Sequence, residues 1–161
     1  MASAAEIEKK IVLRSSDGVE FEVEEPTARQ SKLIGNMIDD GCAENTIPLF
    51  NVDAKTLDKV IEYCRKHAGT TSALGECHNT DKEIESWDAA YIDVDQTILY
   101  DILLAANYLD IKALLDLGCE QVANMMKAKR AEEIRKIFKI KNDFTPEEEE
   151  KIQMEYPWAF N

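Results

Sequence analysis

The period of the apolar positions changes along this chain, and the changes mark its elements. Lys10 to Ser15 (KIVLRS) is a short apolar block, and Val19 to Val23 (VEFEV) alternates apolar and acidic residues, as a half-buried strand does. Ser16-Asp17-Gly18 supplies turn residues between the two runs, which predicts a hairpin, and Pro26-Thr27 ends it. The period then lengthens. Leu33, Ile34, Met37 and Ile38 recur at helical spacing within Ala28 to Asp40, and Gly41 stops that helix. Ile47-Pro48-Leu49 is short and extended, and its proline suits a third strand at a sheet edge. Asp53 to His67 reads as a helix capped by Asp53, with Leu57, Val60, Ile61 and Cys64 as its buried stripe. Gly69 to Lys82 is rich in Gly, Thr, Ser and Asn and reads as a surface loop; Trp87 to Tyr91 then brings the chain back with a large apolar anchor.

Four helical segments follow. Gln96 to Leu109 is the first. Ile111 to Lys127 is the second, with Ile111, Leu115, Cys119, Val122 and Met126 on one face. Ala131 to Phe138 is short, and Thr145 to Tyr156 has a well-specified start: Thr145 as N-cap, Pro146 at the first position and Glu148 closing a capping box. The stretch from Ile98 to Met126 is the most telling. Ile98, Leu99, Ile102, Leu103, Ala105, Ala106 and Leu109 occupy more than one helical face, and a helix apolar on several sides must be covered on each of them. A chain of this size covers one side with its own fold and offers the other to a partner. Short strands first and helices last make the fold class α+β.

The length of 161 residues suits about one domain, with a core large enough to need no disulfides. A net charge of −13 argues against nucleic acid and anionic membrane as partners, since both require a basic patch. Met1 to Lys10 has no apolar run of a signal peptide, and Asp101 and Asp110 interrupt the best candidate for a membrane span. These features lead us to expect a protein of the cytoplasm and nucleus. Its four cysteines, Cys42, Cys64, Cys77 and Cys119, form no CxxC pair and are expected to be free thiols, Cys64 and Cys119 in helical core positions.

Little in the chain promises chemistry. Cys64, His67, Cys77 and His78 are the only Cys–His grouping, and their spacing falls outside the usual zinc-finger patterns. Asp93-Val94-Asp95 begins like a calcium loop, but Ile98 stands where glycine belongs and Leu104 where the bidentate glutamate belongs. Phosphate-binding loops, nucleophile elbows and zincin motifs are absent from the sequence. We therefore expect no enzyme activity, no cofactor and no metal.

Longer motifs carry a resemblance. SSDG at 15–18 with Phe21, VIEYC at 60–64, LLAANYLDIK at 103–112, LLDL at 114–117, EEIRKIF at 132–138, IKNDFTPEEEE at 140–150 and Trp158 together resemble the S-phase kinase-associated protein family, the adaptor subunits of Skp–cullin–F-box (SCF) ubiquitin ligases. The resemblance spans about residues 9 to 160, and the WAF ending is similar to that of the plant branch. It implies a BTB/POZ-type domain at 1–127, with a loop at about 69–83, and a C-terminal helical extension at 128–161. It implies a non-enzymatic bridge between the N-terminal repeats of a cullin and an F-box substrate receptor. A RING protein and a ubiquitin-conjugating enzyme would be reached only indirectly, through the cullin. On matching positions Asn107 and Tyr108 fall on the cullin side, with Phe50 near it. The F-box surface maps onto Leu99, Tyr100, Leu115, Cys119, Val122, Met126, Phe138, Ile140, Asn142, Phe144 and Trp158. On spacing alone Leu99, Leu115 and Val122 serve equally well as core, Tyr108 as a half-buried surface residue, and Trp158 as a side chain folded back on its own domain. The competing reading is a self-associating BTB-type module that recruits transcriptional regulators; it would form a homodimer and have no need of the terminal tryptophan.

The chain departs from the family pattern at several places. Phe50 stands where the family's PLPNV has its second proline, and Gly118 falls in mid-helix, at a cost of up to about 1 kcal/mol against alanine. Tyr156-Pro157 replaces a more polar pair before Trp158. The family's KGKTPEEIR becomes Lys127-Ala128-Lys129-Arg130-Ala131-Glu132-Glu133-Ile134-Arg135, without the C-cap-type glycine, the N-cap threonine and the N1 proline. The helix at 131–138 is therefore expected to fray in the free protein. Restoring the pair by Arg130→Thr with Ala131→Pro is expected to raise amide hydrogen-exchange protection across 131–138; equal protection in the two proteins would refute this.

Overall fold

The computed structural model describes residues 10–68 and 80–160. They fall into two compact units that divide between Gln121 and Val122.

In the first unit the predicted hairpin is present. Strand β1 (Lys10–Arg14) pairs antiparallel with β2 (Glu20–Glu24), Leu13 opposite Phe21. The turn closes with Ser15 N–H donating to the Val19 carbonyl at 2.9 Å and Gly18 N–H to the Ser15 carbonyl at 3.0 Å. Gly18 has φ +86°, a left-handed conformation that a side chain disfavours. Strand β3 (Ile47–Pro48) runs parallel to β1 on its other side, giving the order β2-β1-β3. Pro48 thus lies at an edge, where its missing N–H costs no ladder bond. Ile11, Leu13, Val23 and Ile47 are buried and make the sheet's contribution to the core.

The helix expected over Ala28–Asp40 starts later, as α2 (Lys32–Asp39), and an unanticipated single turn, α1 (Glu25–Ala28), precedes it. Ser31 stands between them. Its backbone is extended and its hydroxyl accepts from Ile34 N–H at 3.2 Å, capping α2, while donating to the Leu109 carbonyl at 2.5 Å. A polar group this deeply buried requires such partners. Helix α3 (Ala54–Ala68) follows. Asp53 caps it as anticipated, its carboxylate accepting from Thr56 N–H at 2.9 Å.

Helix α4 (Thr80–Ile92) corrects the reading of Gly69–Lys82 as loop at its C-terminal end; residues 69–79 lie outside the described residues. Its apolar stripe is Ile84, Trp87, Tyr91 and Ile92, thin beside so many charges. Aromatic contacts join the helix to α3, the stacked pairs lying within each helix and the rings of the two helices meeting tilted or edge-on. Trp87 lies on Tyr91 at 4.9 Å between ring centroids and Tyr63 of α3 on His67 at 4.1 Å, with Tyr63 and Tyr91 5.7 Å apart. The Tyr91 hydroxyl donates to the Lys59 carbonyl at 2.7 Å, and His67 Nε2 lies 2.8 Å from Asp88. Burial pushes the Tyr63 phenol up to about 12, helped by the Asp88 charge.

Helices α5 (Gln96–Leu109) and α6 (Lys112–Met126) complete the core. Leu99, Ile102, Ala105, Ala106 and Leu109 of α5 are buried, with Leu49, Val52, Leu57 and Val60 among the other fully enclosed side chains. Asp95 caps α5 through Thr97 N–H at 3.1 Å. The buried positions of α6 are Leu114 and Gly118, not the Leu115–Cys119 face anticipated, and Cys119 is exposed rather than in the core. Gly118 also has a purpose the sequence does not show. A Cβ there would lie 2.5 Å from Leu103 Cδ2 and 3.0 Å from its Cγ, so α6 approaches α5 at a distance only glycine permits without moving Leu103.

The second unit holds the end of α6, helix α7 (Ala131–Phe138), helix α8 (Pro146–Glu155) and a 3-10 turn (Pro157–Ala159). The α8 capping box forms as expected, Glu148 N–H to Thr145 Oγ1 at 3.3 Å and Thr145 N–H to Glu148 Oε2 at 2.9 Å. Helix α7 has half of one. Arg130 N–H donates to Glu133 Oε2 at 2.8 Å, but an arginine side chain has only donors, so it cannot return the bond to the Glu133 amide. Ala128, before α7, sits at φ +59°.

Two outcomes follow. Gly118→Ala should stabilise the protein more in a Leu103→Ala background than alone, with a coupling of about 0.5–3 kcal/mol in a double-mutant cycle by urea unfolding; additivity would mean the close approach is unimportant. Ala128→Gly should relieve the left-handed strain and stabilise by about 1 kcal/mol, read by the same method.

Candidate partner-binding surfaces

Helix α5 has two faces. The Leu99-Ile102-Ala106-Leu109 side is core. The opposite side carries Asp101, Leu104, Asn107 and Tyr108, of which Asp101, Leu104 and Asn107 are exposed and Tyr108 half-buried. Leu104, 69% exposed, was missed as a surface residue. The signal was available: it precedes Asn107 and Tyr108 by three and four positions, which puts it on their face and out of phase with the core series.

Phe50 stands beside this face. It is 73% exposed, and together with Leu104 it lines a hollow of ≈ 250 Å³ with Val52, Asp53, Thr56 and Asp101. Its outward position is imposed by its neighbours, because Leu49 and Val52 are both fully buried. The loop is tied at both ends: Leu49 N–H donates to the Arg14 carbonyl at 2.7 Å and Ser16 N–H to the Val52 carbonyl at 2.8 Å. Ala54 N–H donates to Asp17 Oδ1 at 2.9 Å, an atom that also accepts the Ser15 hydroxyl at 2.5 Å. The Ser15 bond, with backbone N–H donors, holds the Asp17 carboxyl below the usual carboxylate range. The structure thus brings Phe50 next to the α5 face that bears Asn107 and Tyr108.

The residues anticipated on an F-box surface divide. Leu99 is 1% exposed; its side chain is enclosed in the core and no partner can reach it, which corrects its place in that set. Tyr100 is half-buried, its hydroxyl accepting from Gln96 Nε2 at 2.5 Å. On α6, Leu115 is half-buried and Cys119 exposed, and farther along Val122 is half-buried and Met126 exposed, at the i, i+4, i+7, i+11 spacing of one helical face.

The second unit is the more unusual. No residue from 122 to 160 is buried. Phe138 is half-buried, while Ile140, Phe144, Tyr156 and Phe160 are exposed, Met154 to 73% and Trp158 to 77%. Its internal ties are polar. Asn142 Nδ2 donates to Glu149 Oε1 at 2.5 Å and Asn142 Oδ1 accepts from Phe144 N–H at 3.2 Å. Arg135 lies 3.7 Å from Glu149 Oε1 and over the Phe144 ring at 6.0 Å. Asn142, anticipated as a contact residue, is thus also a brace between α8 and the segment before it. A surface hollow of ≈ 520 Å³ is lined by Ala131, Arg135, Phe144, Ile152 and Phe160, among others.

Metal-binding geometry is missing among the described residues, where no group of three or more His, Cys, Asp and Glu side chains converges. Burial raises the Cys64 thiol to about 12, which disfavours the thiolate a metal needs, and Cys77 and His78 lie outside the described residues. No helix among the described residues is long and apolar enough to cross a membrane.

Comparison with known proteins decides the family. Residues 9–69 match the model of the Skp1 family tetramerisation domain, and residues 112–159 that of the Skp1 family dimerisation domain. The chain belongs to the Skp1 family. Among its relatives, SKP1-like protein 1A of Arabidopsis thaliana is 52% identical, with 94% of this chain and 98% of the relative covered. SKP1-like protein 1 of Oryza sativa subsp. japonica is 53% identical over 98% of this chain and 99% of the relative. The E3 ubiquitin ligase complex SCF subunit sconC of the fungus Arthroderma otae is 50% identical, with 97% and 98% covered. The first of the two matches is the POZ domain of the Skp1 family, and the α+β arrangement of a small three-stranded sheet covered by helices, with further helices at the C-terminus, is the expected BTB/POZ-type architecture.

Proposed function

We propose that this protein is a non-enzymatic adaptor of an SCF-type ubiquitin ligase, holding an F-box substrate receptor to the N-terminal repeats of a cullin. The observation that carries the reading is a compact unit, Val122–Asn161, in which no described residue is buried although it carries Met126, Ile140, Phe144, Met154, Trp158 and Phe160 on its exterior. Apolar groups left in water on a folded scaffold are favoured to bury against a partner, at roughly 25 cal/mol per Å². Helices α7 and α8, of 8 and 10 residues, are also shorter than the roughly 12–15 residues at which an isolated helix becomes marginally stable, so a partner helix that packs on them would firm them up. Kinship with a relative named as an SCF subunit supports the same reading.

In this assignment Tyr100, Leu115, Cys119, Val122, Met126, Phe138, Ile140, Asn142, Phe144 and Trp158 contact the F-box, with residues 128–161 completing that surface. Asn107, Tyr108 and Phe50 of the BTB-type part, 1–127, face the cullin. Trp158 is the anchor, since tryptophan is over-represented among interface residues of large energetic effect. The adaptor contributes geometry: it fixes receptor and substrate relative to the cullin, and the RING protein and ubiquitin-conjugating enzyme act at the cullin's far end. It works in the nucleus and cytoplasm, and needs neither metal nor cofactor.

The test is co-purification with an F-box protein and the N-terminal region of a cullin, followed by size exclusion. A ternary complex is expected. Trp158→Ala should weaken the F-box protein about tenfold or more and leave cullin binding intact; Asn107→Ala with Tyr108→Ala should do the reverse. A homodimer that binds neither partner would instead support the self-associating module.

A further inference from the structure

We infer that Phe50 and Leu104 form the two walls of a selectivity pocket, which takes one apolar side chain from a cullin helix together with a neighbouring lysine or arginine. The inference rests on the cullin-facing reading of α5 and specifies the chemistry of that contact. The pocket is the ≈ 250 Å³ hollow whose lining combines Phe50, Leu104 and Val52 with the carboxylates of Asp53 and Asp101. Both walls are large apolar groups standing mostly in water, an arrangement that marks an interaction surface when the groups are contiguous.

Three further observations select the occupant. The first is continuity: Leu104 lies one helical turn before Asn107 and Tyr108 on the same exposed strip of α5, so whatever covers those two residues passes over the pocket. The second is charge. Asp53 and Asp101 are both exposed and offer acceptors to a cation beside the apolar group. A second copy of this chain, net charge −13, would bring like charge to that rim, which disfavours self-association there. The third is preorganisation. The loop carrying Phe50 is tied at Leu49, Val52, Asp53 and Ala54, so presenting the ring to a partner costs little further ordering. A proline at position 50, as in the family pattern, supplies a smaller wall. The phenylalanine therefore changes which cullin side chains fit, and with them which cullin is preferred.

The experiment is calorimetric titration of the N-terminal repeat region of a plant cullin into this protein in complex with an F-box protein. The variants are Phe50→Ala, Leu104→Ala, both together, and Asp101→Asn, with Asn107→Ala/Tyr108→Ala in parallel. Both wall residues are exposed, so folding should be unaffected, and retained F-box binding checks it. Each single truncation is expected to weaken cullin binding about tenfold. The double variant should lose less than the product of the two, because one occupant touches both walls. Asp101→Asn should flatten the salt dependence. If Asn107→Ala/Tyr108→Ala weakens binding while Phe50→Ala and Leu104→Ala do not, the pocket is refuted and the adaptor reading survives. Tighter binding by Phe50→Ala would make the ring an obstruction and also refute the pocket. If the unaltered complex binds no cullin, the cullin-facing reading itself falls.

Discussion

The burial of α5 constrains the rest of the first unit. Its Leu99, Ile102, Ala105, Ala106 and Leu109 side is enclosed, with the sheet's Ile11, Leu13 and Val23 and the Leu57 and Val60 stripe of α3 also in the core. Once that side is committed inward, the helical period forces Asp101, Leu104 and Asn107 outward. One helix thus sets the core and the exposed strip at the same time. The Ser31 hydroxyl on the Leu109 carbonyl fixes the end of that helix against α2. Removing so buried a bond strands an unsatisfied carbonyl, a larger loss than the bond itself provides.

The second unit follows a different rule. Its helices start well or half-well, at Thr145 and Arg130 respectively, and are tied together by polar bonds centred on Glu149. Bonds of this kind between exposed groups contribute little net stability. They set geometry, and the apolar groups are left outside. Such a surface has the composition of half a core, which suits a protein whose stable state is an assembly.

Much of the fold was legible in the sequence because it rests on local signals. The hairpin, the Asp53 cap and the Thr145 capping box all depend on residues within a few positions of one another, and the edge strand is signalled by Pro48 itself. What was not legible depends on distant groups. Ser31, the cap at which α2 starts, gives its hydroxyl to a carbonyl 78 positions away. Helix α4 is weakly amphipathic, and what ties it down is distant in sequence: its rings meet those of α3 in tilted and edge-on contacts, and the Tyr91 hydroxyl bonds to the Lys59 carbonyl. Gly118 looks like a defect until Leu103 is placed against it. At the surfaces, the resemblance drew Leu99 outward, where packing puts it inside, and left out Leu104, whose phase on α5 marks it as exposed. A position inherited from a motif says which residues recur, whereas the face a residue occupies is set by what surrounds its helix.

The alternation of Leu49 inward, Phe50 outward and Val52 inward has a consequence for how such proteins diverge. The backbone there is held by bonds that involve no atom of the Phe50 side chain, so the fold is nearly indifferent to what residue 50 is. Duplicated copies of such a protein are free to drift at this one position without losing solubility or structure. Recognition can therefore evolve faster than architecture, one side chain at a time.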